Sequence, residues 1–502
     1  MIPVGLARTR PSYAGLHPPY HPGRAYPELA SLFGTDSGDG QSGGPPNTVY
    51  AAVRAALRGL GLDAANFGTE RWNPLGELIP SSGGRVVLKP NFIRHWNPEP
   101  GQSVESVITH GSILRAVADY AFLAAGAGPE GSVCIAEAPQ MDCEFARIRE
   151  IAGLDALVRF YEEAAGRRLE VVDLRREEVR FRDGIVCERH PLPGDPRGYR
   201  AVDLGEKSFF HEQGFDPDRY RGADYDPEPT SEHHRDGRHE YLLSETVLSA
   251  DLVVNLPKLK THKKTGVTLA LKNLVGINGD KNWLPHHSLG SPAEGGDEYP
   301  EPRALDRWRS RALDWARPWL QRGQGLPLFR LARRIESVTR GDEFVRAGNW
   351  HGNRTTWRMC LDLNRCFYYS DARGFWPDAP APTRHALTVL DGIVAGEDAG
   401  PLAPRDRPLG VVIAGTDPLG VDLAAVRLMG FDEERIPKLR EAMADEKLRV
   451  TAVRRPDDVV VNEVDVEDFR TRERRLVELD ADSPFLAHPG WRGHVERTRT
   501  RP

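Results

Sequence analysis

The residues best suited to chemistry lie in one stretch, Asn255-Leu-Pro-Lys258-Leu-Lys260-Thr-His262-Lys263-Lys264-Thr-Gly266-Val-Thr268-Leu-Ala-Leu-Lys272-Asn273. Four lysines and a histidine between positions 258 and 264 create a local positive potential, and compact ammonium groups suit phosphate or carboxylate ligands. A lysine held partly out of water beside other cations has a depressed pKa and serves as a base, while histidine titrates near neutrality unaided. His262 and Lys272 are therefore the expected acid/base pair. The stretch begins where an apolar run ends, at the edge where open α/β sheets bind ligands. The segment Thr-Gly-Val-Thr268 is expected to open a helix or turn whose free N–H groups add anion-binding capacity. Lys258, Lys260, Lys263, Thr268 and Asn273 are expected to hold the anion.

The next loop, Asn278-Gly-Asp280-Lys281-Asn282-Trp-Leu-Pro-His286-His287, adds Asn278, Lys281, His286 and His287 as expected substrate contacts and Asp280 as a candidate metal ligand. Adjacent histidines point apart on a regular element, so the pair alone is a weak metal signature. Upstream, Lys89-Pro-Asn91 and Thr109-His110 stand where strands are expected to end. Lys89, Asn91 and Thr109 join the substrate set and His110 the catalytic set, with helix capping the plainer role for Thr109. Asp391, Glu397, Asp417 and Asp422 sit near glycines after two later apolar runs. They suit a hard divalent cation such as magnesium, and equally the ordinary work of turns and caps. The cofactor is thus unknown, with room for a divalent metal.

These groups need elements to hold them. Apolar runs at 85–90, 132–136, 169–174, 251–256, 387–390 and 410–414 read as strands. Helical spacing marks 49–60, 112–125 and 421–429. Strand and helix in alternation build an α/β fold with a mostly parallel sheet covered by helices. Residues 34–46 read as a flexible loop behind an N-terminal arm. The organisation expected is an α/β domain over 1–300 carrying that arm and a polar insertion at 175–240, an Arg/Trp-rich helical insertion at 301–346, a second α/β domain at 347–480, and a charged tail at 481–502.

The composition limits the function. The 502 residues carry a formal charge of −6 at a pI near 6.3, which argues against nucleic acid as a partner. No apolar run reaches the roughly 18 residues needed to span a bilayer, and no secretory apolar region opens the chain, so a cytoplasmic protein is expected. Five cysteines without a CxxC pair argue against an iron–sulfur cluster, a zinc ribbon and a disulfide framework. GxxxxGK[ST], GxGxxG after a strand, HExxH and GxSxG are all absent from the sequence.

On these motifs the chain resembles domain-of-unknown-function family 362, in its longer form without a ferredoxin segment. The matching stretches are VVLKPNF at 86–92, ITHGSILRAVADY at 108–120, ADLVVNLPKLKTHKKTGVTLALKNLVGINGDKNWLPHH at 250–287, GGDEYP at 295–300, GNWHGNRTTWR at 348–358, LDGIVAGEDAGP, and GTDPLGVDLAAVRLMGF. Gly352-Asn353-Arg354 departs from the usual GND of that form. A more distant likeness is to the nickel-pincer lactate racemase family, in which a histidine and a lysine follow a strand as His262 and Lys272 do, and a phosphate-binding pair stands where this chain has Thr109-His110. The missing diglycine before the lysine, and His110 in place of arginine, keep that family's tethered nickel cofactor from carrying over.

The expected function is an enzyme acting by acid/base chemistry at carbon on a carboxylate or phosphorylated metabolite, of isomerase, epimerase or lyase type. One rival is a binding protein for a phosphorylated glycan or lipid at a membrane face, using the Arg/Trp segment 303–346 for peripheral contact. A second is a redox metalloenzyme built on His233, His234, His239, His286 and His287.

Overall fold

The computed structural model describes residues 1–34, 46–80, 83–128, 131–182, 185–211, 215–222, 227–302, 308, 312, 315, 316, 319 and 347–498. Strands β1 (Ile2–Arg8), β2 (Arg85–Pro90), β3 (Ser132–Glu137), β4 (Leu169–Asp173), β5 (Leu252–Leu256), β6 (Lys258–His262), β7 (His385–Glu397), β8 (Arg405–Gly415), β9 (Val459–Val464) and β10 (Thr471–Arg475) belong to one 11-stranded sheet. Its order is β10-β9-β1-β8-β7-β5-β2-β3-β4. From β7 to β4 every pairing is parallel.

Residues alternate between two cores: Val86 and Leu88 of β2 pack on one side with helices α1 (Thr48–Arg58) and α2 (Gly111–Ala125), and Val87 packs on the other. A parallel strand covered on both faces is apolar at every position, which is why these runs are continuous. The fold is α/β, as expected.

Three expectations on organisation change. The N-terminal arm is β1, a central strand paired antiparallel with β8 and parallel with β9. Strands before and after residue 301 share the sheet, since β7 lies against β5, so the two expected α/β domains have a common backbone of hydrogen bonds. The polar insertion at 175–240 contains paired strands: Glu177–Arg182 pairs with Ile185–Pro191, and Tyr199–Asp203 with Glu240–Ser244. The tail is not merely charged, because Phe485, Ala487, Trp491 and Val495 are buried. Most of the Arg/Trp segment 303–346, and residues 35–45 of the expected flexible loop, lie outside the described residues. Among the described residues no helix is long and apolar enough to cross a membrane.

Candidate functional site: a buried lysine constellation

β7 is 13 residues long, and this length positions the site. Its first half pairs with β5, and its second half pairs in parallel with β6, which the chain enters after Pro257. The carboxyl ends of β2, β3 and β5 therefore open beside Lys258, Lys260 and His262. Asn273, on the short helix α3 (Leu269–Asn273), ties these ends together. Its Nδ2 donates to Asn255 Oδ1 at 2.7 Å, and its Oδ1 accepts from Asn91 Nδ2 at 2.8 Å and from Lys89 Nζ at 3.3 Å. Thr109 Oγ1 donates to the Leu256 carbonyl at 2.7 Å and accepts the Asn91 N–H at 2.9 Å.

The expected free N–H groups at the start of α3 are already used. Asp422 accepts from Ala270 N at 2.6 Å and Leu271 N at 3.2 Å, so that helix end carries a protein carboxylate and offers no anion site. Lys438, on α6 (Pro437–Ala444), donates to the Val267 and Thr268 carbonyls at 3.0 and 2.8 Å. Together Asp422 and Lys438 hold the turn in which buried Leu269 takes a left-handed backbone, φ 53°, a conformation a branched side chain adopts only under constraint. Thr268 Oγ1, in the same turn, is buried without a hydrogen-bond partner, as is Asn91 Oδ1.

Lys272 is the centre. It is 9% exposed, and among the described residues its ammonium makes no hydrogen bond or ion pair. Burial pushes its pKa down, with Cys360 and Glu137 opposing. Its charge in turn lowers the pKa of five other lysines: Lys89, Lys260, Lys264, Lys281 and Lys438. In each of these burial is the larger cause, and it takes Lys264 and Lys281 down to about 7 and Lys438 to about 8. Lys89 pairs with Glu137, while Lys260, Lys264 and Lys281 donate to the carbonyls of Val107, Ala347 and Val275. Lys263 is half-buried, its ammonium makes no hydrogen bond among the described residues, and its charge lowers His262 and Lys264.

Two imidazoles share this field and carry opposite tautomers, as read from their partners. His262 Nδ1 accepts the Lys264 N–H at 3.1 Å, which leaves the proton on Nε2. His286 Nδ1 lies 2.8 Å from the Leu284 carbonyl, which places the proton there and leaves Nε2 with a lone pair. Burial first, and then Lys272, holds both neutral, His286 at about 3 and His262 well below its ordinary value.

The other sequence candidates part from this group. His110 caps α2 and stacks on Tyr13 with ring centroids 3.8 Å apart. The His110 N–H, Tyr13 OH and Lys258 ammonium all converge on Asp391. That knot occupies both carboxylate oxygens, so Asp391 is a structural anion and His110 belongs with it.

Asp417 caps α5 (Pro418–Met429) and binds Thr451, Glu397 accepts the Leu486 N–H at 3.0 Å, and Asp280 caps a single turn at Lys281 and faces Arg176. With Asp422 on α3, the five carboxylates expected as metal ligands are engaged in caps, ion pairs or a backbone N–H contact, and among the described residues no group of three or more His, Cys, Asp or Glu side chains is arranged to hold a metal ion. Asn278 is likewise structural, accepting Leu242 N at 2.9 Å, and His287 sits in a two-residue pairing with Arg221. The five histidines scatter: His233 stacks on Trp283, while His234 and His239 lie among Phe210, Tyr220 and Tyr241.

Glu137, Lys264, Lys438 and Trp491 belong to the site and were not among the sequence candidates. Trp491 brings the C-terminal segment over β6, its indole N–H donating to the Lys263 carbonyl at 2.8 Å and its ring facing Gly266. Gly276 matters for a different reason. A Cβ there would strike the Glu137 carboxylate and the Lys89 ammonium. Gly276→Ala is expected to break this ion pair and lower stability by about 3 kcal/mol, because it leaves one buried charge uncompensated. A urea unfolding curve measures this, and a change below about 0.5 kcal/mol would contradict it.

Residues 200–427 match the family described as Domain of unknown function (DUF362), while no curated protein and no solved structure matches the chain. The likeness to lactate racemases is thus one of residue order alone. The matched segment runs from Tyr199's neighbour Arg200 to Arg427 and contains His262, Lys272 and His286, so the stretch that builds the lysine constellation is the part of the chain that matches the DUF362 family.

Proposed function

We propose that the protein is an enzyme that binds an anionic small molecule, a carboxylate or phosphorylated metabolite, and moves a proton at a carbon beside the anionic group. The observation that carries this reading is buried Lys272 amid other lysines, its ammonium without a hydrogen bond or ion pair among the described residues, with Glu137 as the carboxylate acting on it. Buried charge without a partner is costly, and it persists where a ligand supplies the missing counter-charge. The lysines bind the anion and stabilise negative charge that grows on the substrate as a carbon-bound proton leaves. Lys272, whose pKa burial lowers, is the base that takes that proton. His262, neutral with its hydrogen on Nε2, donates a hydrogen bond to the developing oxyanion, as a neutral imidazole held among cations can. Isomerisation, epimerisation and elimination all begin with this step.

Calorimetric titration of the purified chain with inorganic phosphate and with malonate tests the binding half. Proton NMR in deuterated water, over a series of hydroxy-, oxo- and phospho-acids, tests the chemical half by loss of a C–H signal. Binding and exchange that vanish in Lys272→Ala and in His262→Ala support the reading. Exchange and binding left intact in both variants, or no anion bound at millimolar concentration, refute it.

A further inference from the structure

We propose that Lys272 is a nucleophile that forms an imine with a carbonyl-bearing anion, a 2-oxo carboxylate or a phosphorylated aldehyde or ketone. This rests on the anionic-ligand reading and names the substrate class within it; the amine that reading used as a base becomes the covalent attachment point.

The first support is geometric. Within the constellation Lys89, Lys260, Lys264, Lys281 and Lys438 each donate to a carboxylate or a backbone carbonyl, whereas Lys272, more than nine-tenths buried, and the half-buried Lys263 have no acceptor among the described residues. An ammonium in that position has no acceptor among the described residues to hold its proton, and a lysine desolvated beside other cations is the arrangement that supplies a free amine for attack on carbonyls.

The second support is which cation the chain uses. It contains ten lysines against 57 arginines, and eight of the ten, all but Lys207 and Lys447, take part in this constellation or in the adjoining Asp391 knot. Residues 251–300 hold six lysines and no arginine. Arginine binds carboxylate and phosphate at least as well, through a planar fork, but does not lose its proton. Anion binding alone would be served by the side chain this protein uses everywhere else. Titratable amines at the site call for a reason, and covalent capture of a carbonyl is one that arginine cannot perform.

The step balances without an oxidant. The Lys272 amine attacks the carbonyl carbon, the C–O π bond opens to a carbinolamine, and the oxygen departs as water carrying the two amine hydrogens while C=N forms. Protonation of the imine nitrogen then draws electrons from the neighbouring carbon. His286 Nε2, whose lone pair is free because Nδ1 is committed to the Leu284 carbonyl, is placed to accept the proton released there, and His262 Nε2–H donates to the departing oxygen.

Pyridoxal 5′-phosphate joins an aldehyde to a phosphate and serves as the probe. The full-length protein is mixed with it at pH 7, reduced with borohydride, digested and mapped by mass spectrometry. The expected result is a reduced adduct on Lys272 at a rate at least about ten-fold above Lys207 and Lys447, slowed by inorganic phosphate and absent in Lys272→Arg. An adduct that favours Lys263 or another lysine, or is spread evenly over Lys207 and Lys447, overturns the imine. If calorimetry still registers inorganic phosphate while Lys272 stays unlabelled, the imine fails alone; if phosphate does not bind either, the anionic-ligand reading falls with it. The mapping is done on the wild-type chain, so a folding defect in Lys272→Arg does not blunt the test.

Discussion

Lys272→Met is expected to weaken inorganic phosphate binding by roughly 30- to 1,000-fold, about 2–4 kcal/mol, and at the same time to raise the melting temperature. The two effects have one cause. Lys272 is buried, its ammonium has no hydrogen-bond acceptor among the described residues, and it repels Lys89, Lys260, Lys264, Lys281 and Lys438. Methionine is similarly long, unbranched and apolar, so it fills the space while removing the charge. Replacing a poorly compensated buried charge with an apolar side chain stabilises a fold by about 1–3 kcal/mol. A bound anion, by contrast, loses a direct charge-assisted hydrogen bond. Calorimetry and a thermal melt on the same samples decide the matter. A variant that loses stability along with binding would make Lys272 scaffolding, and one that binds phosphate normally would place it outside the ligand's reach.

A second large effect is expected in the pH dependence of stability: without added anion, the melting temperature climbs from pH 6.5 to pH 8.5. Lys264 and Lys281 titrate at about 7 in the folded chain and Lys438 at about 8, whereas an unfolded lysine holds its proton to about 10.4. Across this window the unfolded state binds more protons than the folded one, so raising the pH favours folding. The gain is on the order of 2 kcal/mol each for Lys264 and Lys281 and less for Lys438. The interval begins at the ordinary histidine pKa and ends at that of unfolded thiols, whose buried counterparts here are pushed up and pull the other way near its upper end. Saturating phosphate flattens the curve, because a bound anion restores the lysines' affinity for protons; binding at pH 8 then takes up protons, which calorimetry in two buffers of different ionisation heat detects. A flat or falling melting curve without phosphate contradicts the assignment.

Much of the frame was legible in the residues. Strands β2 to β5 read as unbroken apolar runs because parallel strands between two helical layers have no solvent face, and His262, Lys272, Lys281 and His286 drew notice because they lie close together in the chain. The most telling compositional signal, six of the ten lysines of an arginine-rich chain between 258 and 281, is also there and includes Lys264, whereas Lys438 lies far outside that stretch.

What the sequence by itself determined is the α/β architecture and the cationic character of the stretch from Lys258 to Lys281, since both follow from periodicity and residue type. Only the tertiary structure decided which charges face one another. Glu137 comes from the end of β3 and Lys438 from α6, more than 130 residues to either side of Lys272, and no local pattern marks either as its neighbour. Asp391 and Asp422, alike in sequence to metal ligands, are claimed by Lys258 and by the N–H groups of α3, because an unpaired donor or cation in the interior recruits whatever carboxylate the fold brings within reach. Lys272 was passed over in that matching, and a charge the fold leaves uncompensated is the physical ground for expecting a ligand there.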